Sequence, residues 1–273
     1  MKGGWASIPA RHLLLALAFL ILVLGVPLLA PNDPFEMDLD NRIQPPSLRF
    51  PMGTDSLGRC VLSRTLYGGA VSVGLALAAT LSSAALGMGL GLCSSSAGAV
   101  TRAVAMWMID VMLAFPFLIL AVVIAGLLGG SMLTTWLGLT AEGFVWWARF
   151  SSDLFIRAGE SDFVKAARAM GIPALRLAGR YLLPQVMPHA TVALLLQMAA
   201  MVTAVSGLSY LGFGAQPPTP EWGTMLKDAQ IYMIDYPWLM IGPGLAITVC
   251  VAAFTAVGEA LRRRFALKPL NRW

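Results

Sequence analysis

A chain of 273 residues that is 58% hydrophobic and 12% charged, with mean hydropathy +0.74, is not a soluble globular domain, in which roughly 25% of residues carry charge. The formal net charge of +5 does not point to nucleic acid, because the basic residues gather between apolar runs and at the C-terminus, as they do beside membrane spans. Cys60, Cys93 and Cys250 are scattered, with neither metal-ligand spacing nor the even number of a disulfide framework, so at most one pair bridges.

Residues 1–30 read as an N-terminal segment and first span, with Lys2 and Arg11 ahead of an apolar run over 12–30. A basic start and the small Ala30 also fit a signal peptide, but the length, about the 20 residues that cross a bilayer, favours a retained span. Residues 31–66 form an external loop with an acidic front (Asp33, Glu36, Asp38, Asp40), a Pro-rich middle and the closing run GTDSLGRCVLSR. The second span, 67–92, is rich in glycine and alanine, which permits close helix contact. After a polar turn over 94–102, a third span at 103–128 carries Asp110 near its inner end, and Pro116 is expected to kink it. An acid in an apolar run is either functional or part of a helix-packing hydrogen bond, and both readings of Asp110 stand. A weaker fourth span, 132–150, holds Glu142 and the aromatics Trp146 and Trp147 as interface anchors.

A basic island follows over 161–188. Ser161 is expected to cap a short helix, which Gly171 stops in a left-handed conformation. Pro173 then opens a second short helix in which Leu175, Ala178 and Leu182 share one face and Arg176 and Arg180 another. Pro184 and Pro188 are expected to end it. The fifth span, 190–213, closes on the small and hydroxylic run GLSYLGFG, the segment 216–238 is external, and a last span at 239–261 leads to a cationic tail. The expected fold is therefore all-α, a polytopic membrane protein of about six transmembrane helices with both termini inside. Its domain covers 67–265 and its tail 266–273. Inside, that topology collects Lys2, Arg11, Arg102, Arg149, Arg157, Lys165, Arg168, Arg176, Arg180 and the tail; outside it leaves Arg42, Arg49, Arg59, Arg64 and Lys227.

No GxxxxGK[ST] phosphate loop occurs, no serine sits in GxSxG, and His12 and His189 lie far apart, so an enzyme or an ATP-hydrolysing subunit is not expected. Four blocks do carry a signal: GTDSLGRCVLSRTLYGGAVSVG at 53–74, FVKAARAMGIPALRLAGRYLLPQVMP at 163–188, SYLGFGAQPPTPEWGTML at 209–226 and PGLAITVCVAAFTAVGEALRRRF at 243–265. Together they resemble, in order and over most of the chain after Pro31, the second permease subunit of binding-protein-dependent ABC importers for dipeptides, oligopeptides and nickel. The second block resembles the "EAA" loop of that family, although Lys165 stands where the family has an acid. Cys60 likewise stands where it has an aspartate.

The resemblance implies half of a translocation pathway, a second homologous permease, two ATP-binding subunits that hold ATP and Mg, and an extracytoplasmic substrate-binding protein. It implies a multi-pass protein of the bacterial inner membrane, surrounded by lipid and with no cofactor of its own. Coupling to the ATPases would fall to Lys165, Ala166, Ala167, Gly171, Pro173, Arg176 and Arg180. External docking or gating would fall to Gly53, Asp55, Gly58, Arg59, Pro218, Glu221, Trp222 and Lys227, and the pathway to Asp110, Ser206, Ser209 and Tyr210. Trp222 reads either as part of a docking surface or plug, or as an interface anchor. The short chain and brief N-terminal region resemble the nickel and metallophore members somewhat more than the dipeptide ones. The alternatives are an ion-coupled secondary transporter and a membrane sensor or assembly factor; loss of ATP-dependent uptake on deletion of the chain separates the first reading from both.

Overall fold

The computed structural model describes residues 29–96, 98–114 and 117–265 together with Gly25. The expected first span except its end, the kink at Pro116 and the tail from residue 266 lie outside the described residues. Among the described residues the regular structure is helical, with a single isolated β-bridge between Thr54 and Cys60. The helices are α1 (Val61–Ser96), α2 (Ala99–Leu113), α3 (Phe117–Leu128), α4 (Met132–Gly159), α5 (Asp162–Ala169), α6 (Ala174–Leu177), α7 (Leu183–Tyr210), α8 (Trp222–Ala229) and α9 (Trp238–Arg264). Three helical stretches, Val61–Ser94, Ala174–Tyr210 and Trp238–Arg264, are long and apolar enough to cross a membrane.

The tightest pairing is α1 on α4, and small residues make it possible. A Cβ on Gly87 would collide with Trp147, and one on Gly91 with Ser151. Backbones this close bring hydroxyls together: Ser82 Oγ lies 2.9 Å from Thr140 Oγ1, Ser94 Oγ 2.7 Å from Ser152 Oγ, and Ser151 donates to Gly87 O at 3.1 Å. Close contact of this kind is what the glycine- and alanine-rich sequence of α1 permits. The contacts advance together along both helices, so α1 and α4 run parallel. Helix α7 runs against them, since its far end meets the start of α1 through α8. In turn, α9 runs against α7, with Gly258 seated on Leu195 and Leu196. The core is built from Val73, Ala76 and Ala79 of α1, Leu139 of α4, Val202, Val205 and Leu208 of α7, Trp222 of α8, and Cys250 and Phe254 of α9.

Helices α1 and α4 outrun the hydropathy reading. Helix α1 starts at Val61, six residues before the expected span, and α4 continues to Gly159, nine beyond. The last part of α4 carries Arg149, Asp153 and Arg157, which hydropathy takes for a span boundary but which sit at helical spacing, with Arg149 Nε 3.5 Å from Asp153. The start of α4 is fixed by a reciprocal cap: Ser131 Oγ accepts from Thr134 N–H at 3.2 Å and Thr134 Oγ1 from Ser131 N–H at 3.0 Å. Trp147 is fully buried against α1 and is not an interface anchor; Trp146, stacked on Phe150 at 4.9 Å, is the exposed one.

Candidate functional site: the basic helix, the opposite end and the interior between them

At the basic end of the bundle α5 is held by one face. Val164 and Ala167, three apart, are buried among Leu154 and Phe155 of α4 and Leu177, Leu182 and Val186 beyond it. The other face is presented outward: Phe163, Lys165, Ala166 and Arg168 are exposed, as is Met170 at 74%. Gly171 has φ +77°, a left-handed conformation that turns the chain, and a Cβ there would meet nothing within 4 Å. The expected stop therefore stands where it was placed.

Three details differ from the sequence reading. Ser161 does not cap α5; its hydroxyl donates backward to Ala158 O at 2.8 Å, because α4 ends only two residues earlier. Pro173 is the residue before α6, not its first position, and Leu175 is 88% exposed while Leu177, Ala178 and Leu182 form the buried face. Nor do Pro184 and Pro188 end the second helix. A wider turn over Ala178–Leu182, in which Leu183 N–H reaches five residues back to Ala178 O, precedes Pro184 at the start of α7, and Pro188 lies within α7. Widening a turn makes room for a ring that lacks an N–H. Arg176 and Arg180 remain exposed on the outer side.

At the opposite end the run GTDSLGR folds on its own aspartate. Asp55 Oδ1 accepts the backbone N–H of Leu57 and Arg59 at 2.9 and 3.0 Å, and Oδ2 meets Arg59 Nε at 2.7 Å and Arg64 Nε at 3.5 Å. Gly58, at φ +77°, lies so close to Asp38 O that a Cβ would collide with it. Arg59 and Arg64 are buried, and Arg64 also donates to Pro34 O at 2.9 Å. A small cavity of about 30 Å³ joins Asp55, Arg59 and Arg64 to Asp228 of α8. Desolvation pushes the Asp228 carboxyl above the ordinary carboxylate range, against the pull of Arg59 and Arg64. These residues hold the loop to α8. Removing the Asp55 carboxylate leaves two buried cations short of a partner, at a cost of about 3–5 kcal/mol for a broken buried pair. Asp55→Ala is expected to lower the thermal midpoint of the purified protein by several degrees, and Asp55→Asn, which keeps an acceptor oxygen, by less.

Glu221 is fully buried and caps α8. Its Oε2 accepts from Thr224 N–H at 3.0 Å and its Oε1 from Ser72 Oγ at 2.7 Å. Trp222 is only 4% exposed; its Nε1–H donates to Thr65 O at 2.9 Å and its ring lies over Gly69 of α1. The ring is thus packed on this chain's own helix. Pro218 and Lys227 are exposed, with Pro218 in a cis peptide after Pro217, and Gly53 packs on Gln44 and Trp238. The large apolar residues presented at this end include Leu39, Leu48, Ile231, Met233 and Ile234.

Of the expected pathway residues, Asp110 pairs with Arg149 of α4 at 3.2 Å on an exposed face, the helix-packing reading. Ser206 and Ser209 are buried in the seam where Gly223 and Gly214 press on α7, and Tyr210 is half-buried beside them. Glu142 of α4 and Gln197 of α7 line a cavity of about 370 Å³ with Leu113, Trp146, Ala193 and Ala200. Neither was singled out from the sequence as a site, although Glu142 gives the same signal as Asp110, an acid inside an apolar run.

With this geometry in view, the chain matches the family described as "Binding-protein-dependent transport system inner membrane component" over residues 83–268. It is 34% identical to the di/tripeptide transport system permease protein of Pseudomonas aeruginosa (strain UCBPP-PA14), covering 96% of this chain and 90% of that one. It is also 34% identical to the nickel transport system permease protein of Escherichia coli (strain K12), over 85% and 84% of the two chains, and 30% identical to the dipeptide transport system permease protein of Alkalihalophilus pseudofirmus, over 92% and 82%. Nothing in these likenesses favours an ion-coupled carrier. A match over most of the chain, an all-helical fold and apolar helices of membrane length agree, and the chain belongs to the binding-protein-dependent inner membrane components, the non-catalytic permease subunits of ABC importers.

Proposed function

We propose that this permease contributes half of the pathway for a small peptide or a nickel chelate, the kinds of cargo named for its relatives. In this reading it crosses the membrane about six times with both termini cytoplasmic. It assembles with a second homologous permease, two ATP-binding subunits that hold ATP and Mg, and an extracytoplasmic binding protein; nucleic acid has no part in it. The observation that carries the coupling role is the two-sided character of α5. Val164 and Ala167 tie it to the bundle, while Phe163, Ala166 and Met170 with Lys165 and Arg168 are left for a partner. An ATP-binding subunit whose cleft accepts this face passes its closure to the bundle as a rigid-body motion.

A cysteine at Ala166 should cross-link to an ATP-binding subunit in the assembled importer, and the yield should change between nucleotide-free and ATP-bound states. No cross-link in either state would remove α5 from the coupling interface. Lys165 is solvated on the rim of a cavity that also holds Arg102, Arg168 and Glu160. Lys165→Glu should accordingly transport within about twofold of wild type, since an exposed charge contributes little. A dead variant would mean that Lys165 meets a specific carboxylate on its partner. Cargo is settled by the ligand that the cognate binding protein retains on purification, followed by uptake of that ligand.

A further inference from the structure

Glu142 stands ten residues into α4 and Gln197 fourteen into α7, which at ~1.5 Å per residue is about 15 and 21 Å from the helix starts. Both are therefore deep within their helices. Their cavity is walled mainly by Leu113, Ala193, Ala200 and Trp146. Glu142 Oε2 and Gln197 Oε1, on two of its lining residues, are buried and have no hydrogen-bond partner. The Gln197 amide nitrogen lies against Gly143, where a Cβ would approach it to 2.9 Å, so the amide oxygen is left over. Both orphans are acceptors. An acid at this depth is costly against lipid and is kept where it meets a partner or a water-filled space. A carboxylate, an amide oxygen and the indole of Trp146 on one cavity are the groups that attract an ammonium, which brings three donors and a charge suited to an aromatic face. One carboxylate and one amide are too few oxygens to hold a bare divalent cation, which takes six or more.

We propose that Glu142 and Gln197 form a cation-recognition point inside the pathway that receives the protonated amino group of the cargo, as at the free N-terminus of a short peptide. This rests on the peptide-or-chelate importer reading above. A chelate that carries its own ammonium would engage the same atoms.

Two measurements on the assembled importer in proteoliposomes test it. In a Cys93→Ser background, Gln197→Cys is treated with aminoethyl and sulfonatoethyl methanethiosulfonate, each rate being divided by that for a free thiol. The cationic reagent should react at least tenfold faster, and Glu142→Gln should abolish the ratio. Equal rates, or no reaction with either reagent, overturn the proposal, and this holds whatever the cargo is. In the second measurement, uptake of radiolabelled dialanine should fall at least tenfold in Glu142→Gln and recover in part in Glu142→Asp, with complex yield unchanged. Wild-type uptake by Glu142→Gln also overturns it. If the wild-type importer moves neither dialanine nor a nickel–histidine chelate while the reagent ratio holds, the cargo reading fails and the cation site stands.

Discussion

Trp222→Ala is expected to leave little assembled importer to measure. The indole is buried between α8 and α1, bonded to Thr65 O and seated on Gly69. Truncating a buried tryptophan costs about 3–5 kcal/mol, a large part of the stability of a folded protein. The loss is local to the joint that fixes the segment after α7, so the yield of folded complex should fall sharply, and size-exclusion chromatography of detergent extracts measures it. Trp222→Phe keeps most of the ring and loses the N–H donor, at about 1 kcal/mol, and should assemble. A Trp222→Ala importer that assembles normally yet loses stimulation by the binding protein would place the ring at a docking surface after all.

Gly171→Val is expected to act in the opposite way, with normal assembly and lost transport. No atom lies within 4 Å of a Cβ on Gly171, so the substitution creates no clash. The penalty is in the backbone: at φ +77° a side chain costs roughly 1–2 kcal/mol, and a β-branched one more. The chain relieves it by leaving the left-handed region, which swings α5 against α6 and α7 while Val164 and Ala167 hold it to α4. Uptake should fall at least tenfold with complex yield unchanged, whereas Gly171→Asn, which tolerates the left-handed region, should keep most activity. Wild-type uptake by Gly171→Val would mean that the turn does not set the coupling geometry.

The positions that followed from local chemistry were legible in the sequence. Gly171 is one, because a left-handed stop shows as glycine at the end of a helical pattern. That α1 permits close helix contact is another, because small residues at helical spacing have few other uses in an apolar helix; that α4 is the partner came from the fold. What sequence could not supply was the partner. Trp222 in a Pro-rich external segment looks the same whether it meets lipid, another protein or its own α1, and only the approach of Gly69 decides. Asp110 and Glu142 are equivalent as acids in apolar runs; the fold gives Arg149 to one and a cavity to the other. The prolines misled for a related reason. A missing N–H at Pro184 reads as an ending, yet one wider turn lets the helix continue.

That wider turn has a mechanical consequence. Because the helix survives Pro184 and Pro188, the stretch from Ala174 to Tyr210 is a single rod of 37 residues, about 55 Å long. One end stands beside α5, and the other is clamped where Gly223 presses on Ser206. A rod of this length turns small angles into large strokes: a tilt of about 10° carries one tip roughly 10 Å relative to the other. If α5 is the handle, no chain of side-chain relays is needed to move the far mouth of the pathway. The turn over Ala178–Leu182, next to the handle, is then the compliant joint of the lever, and its stiffness sets how much of each stroke reaches the load.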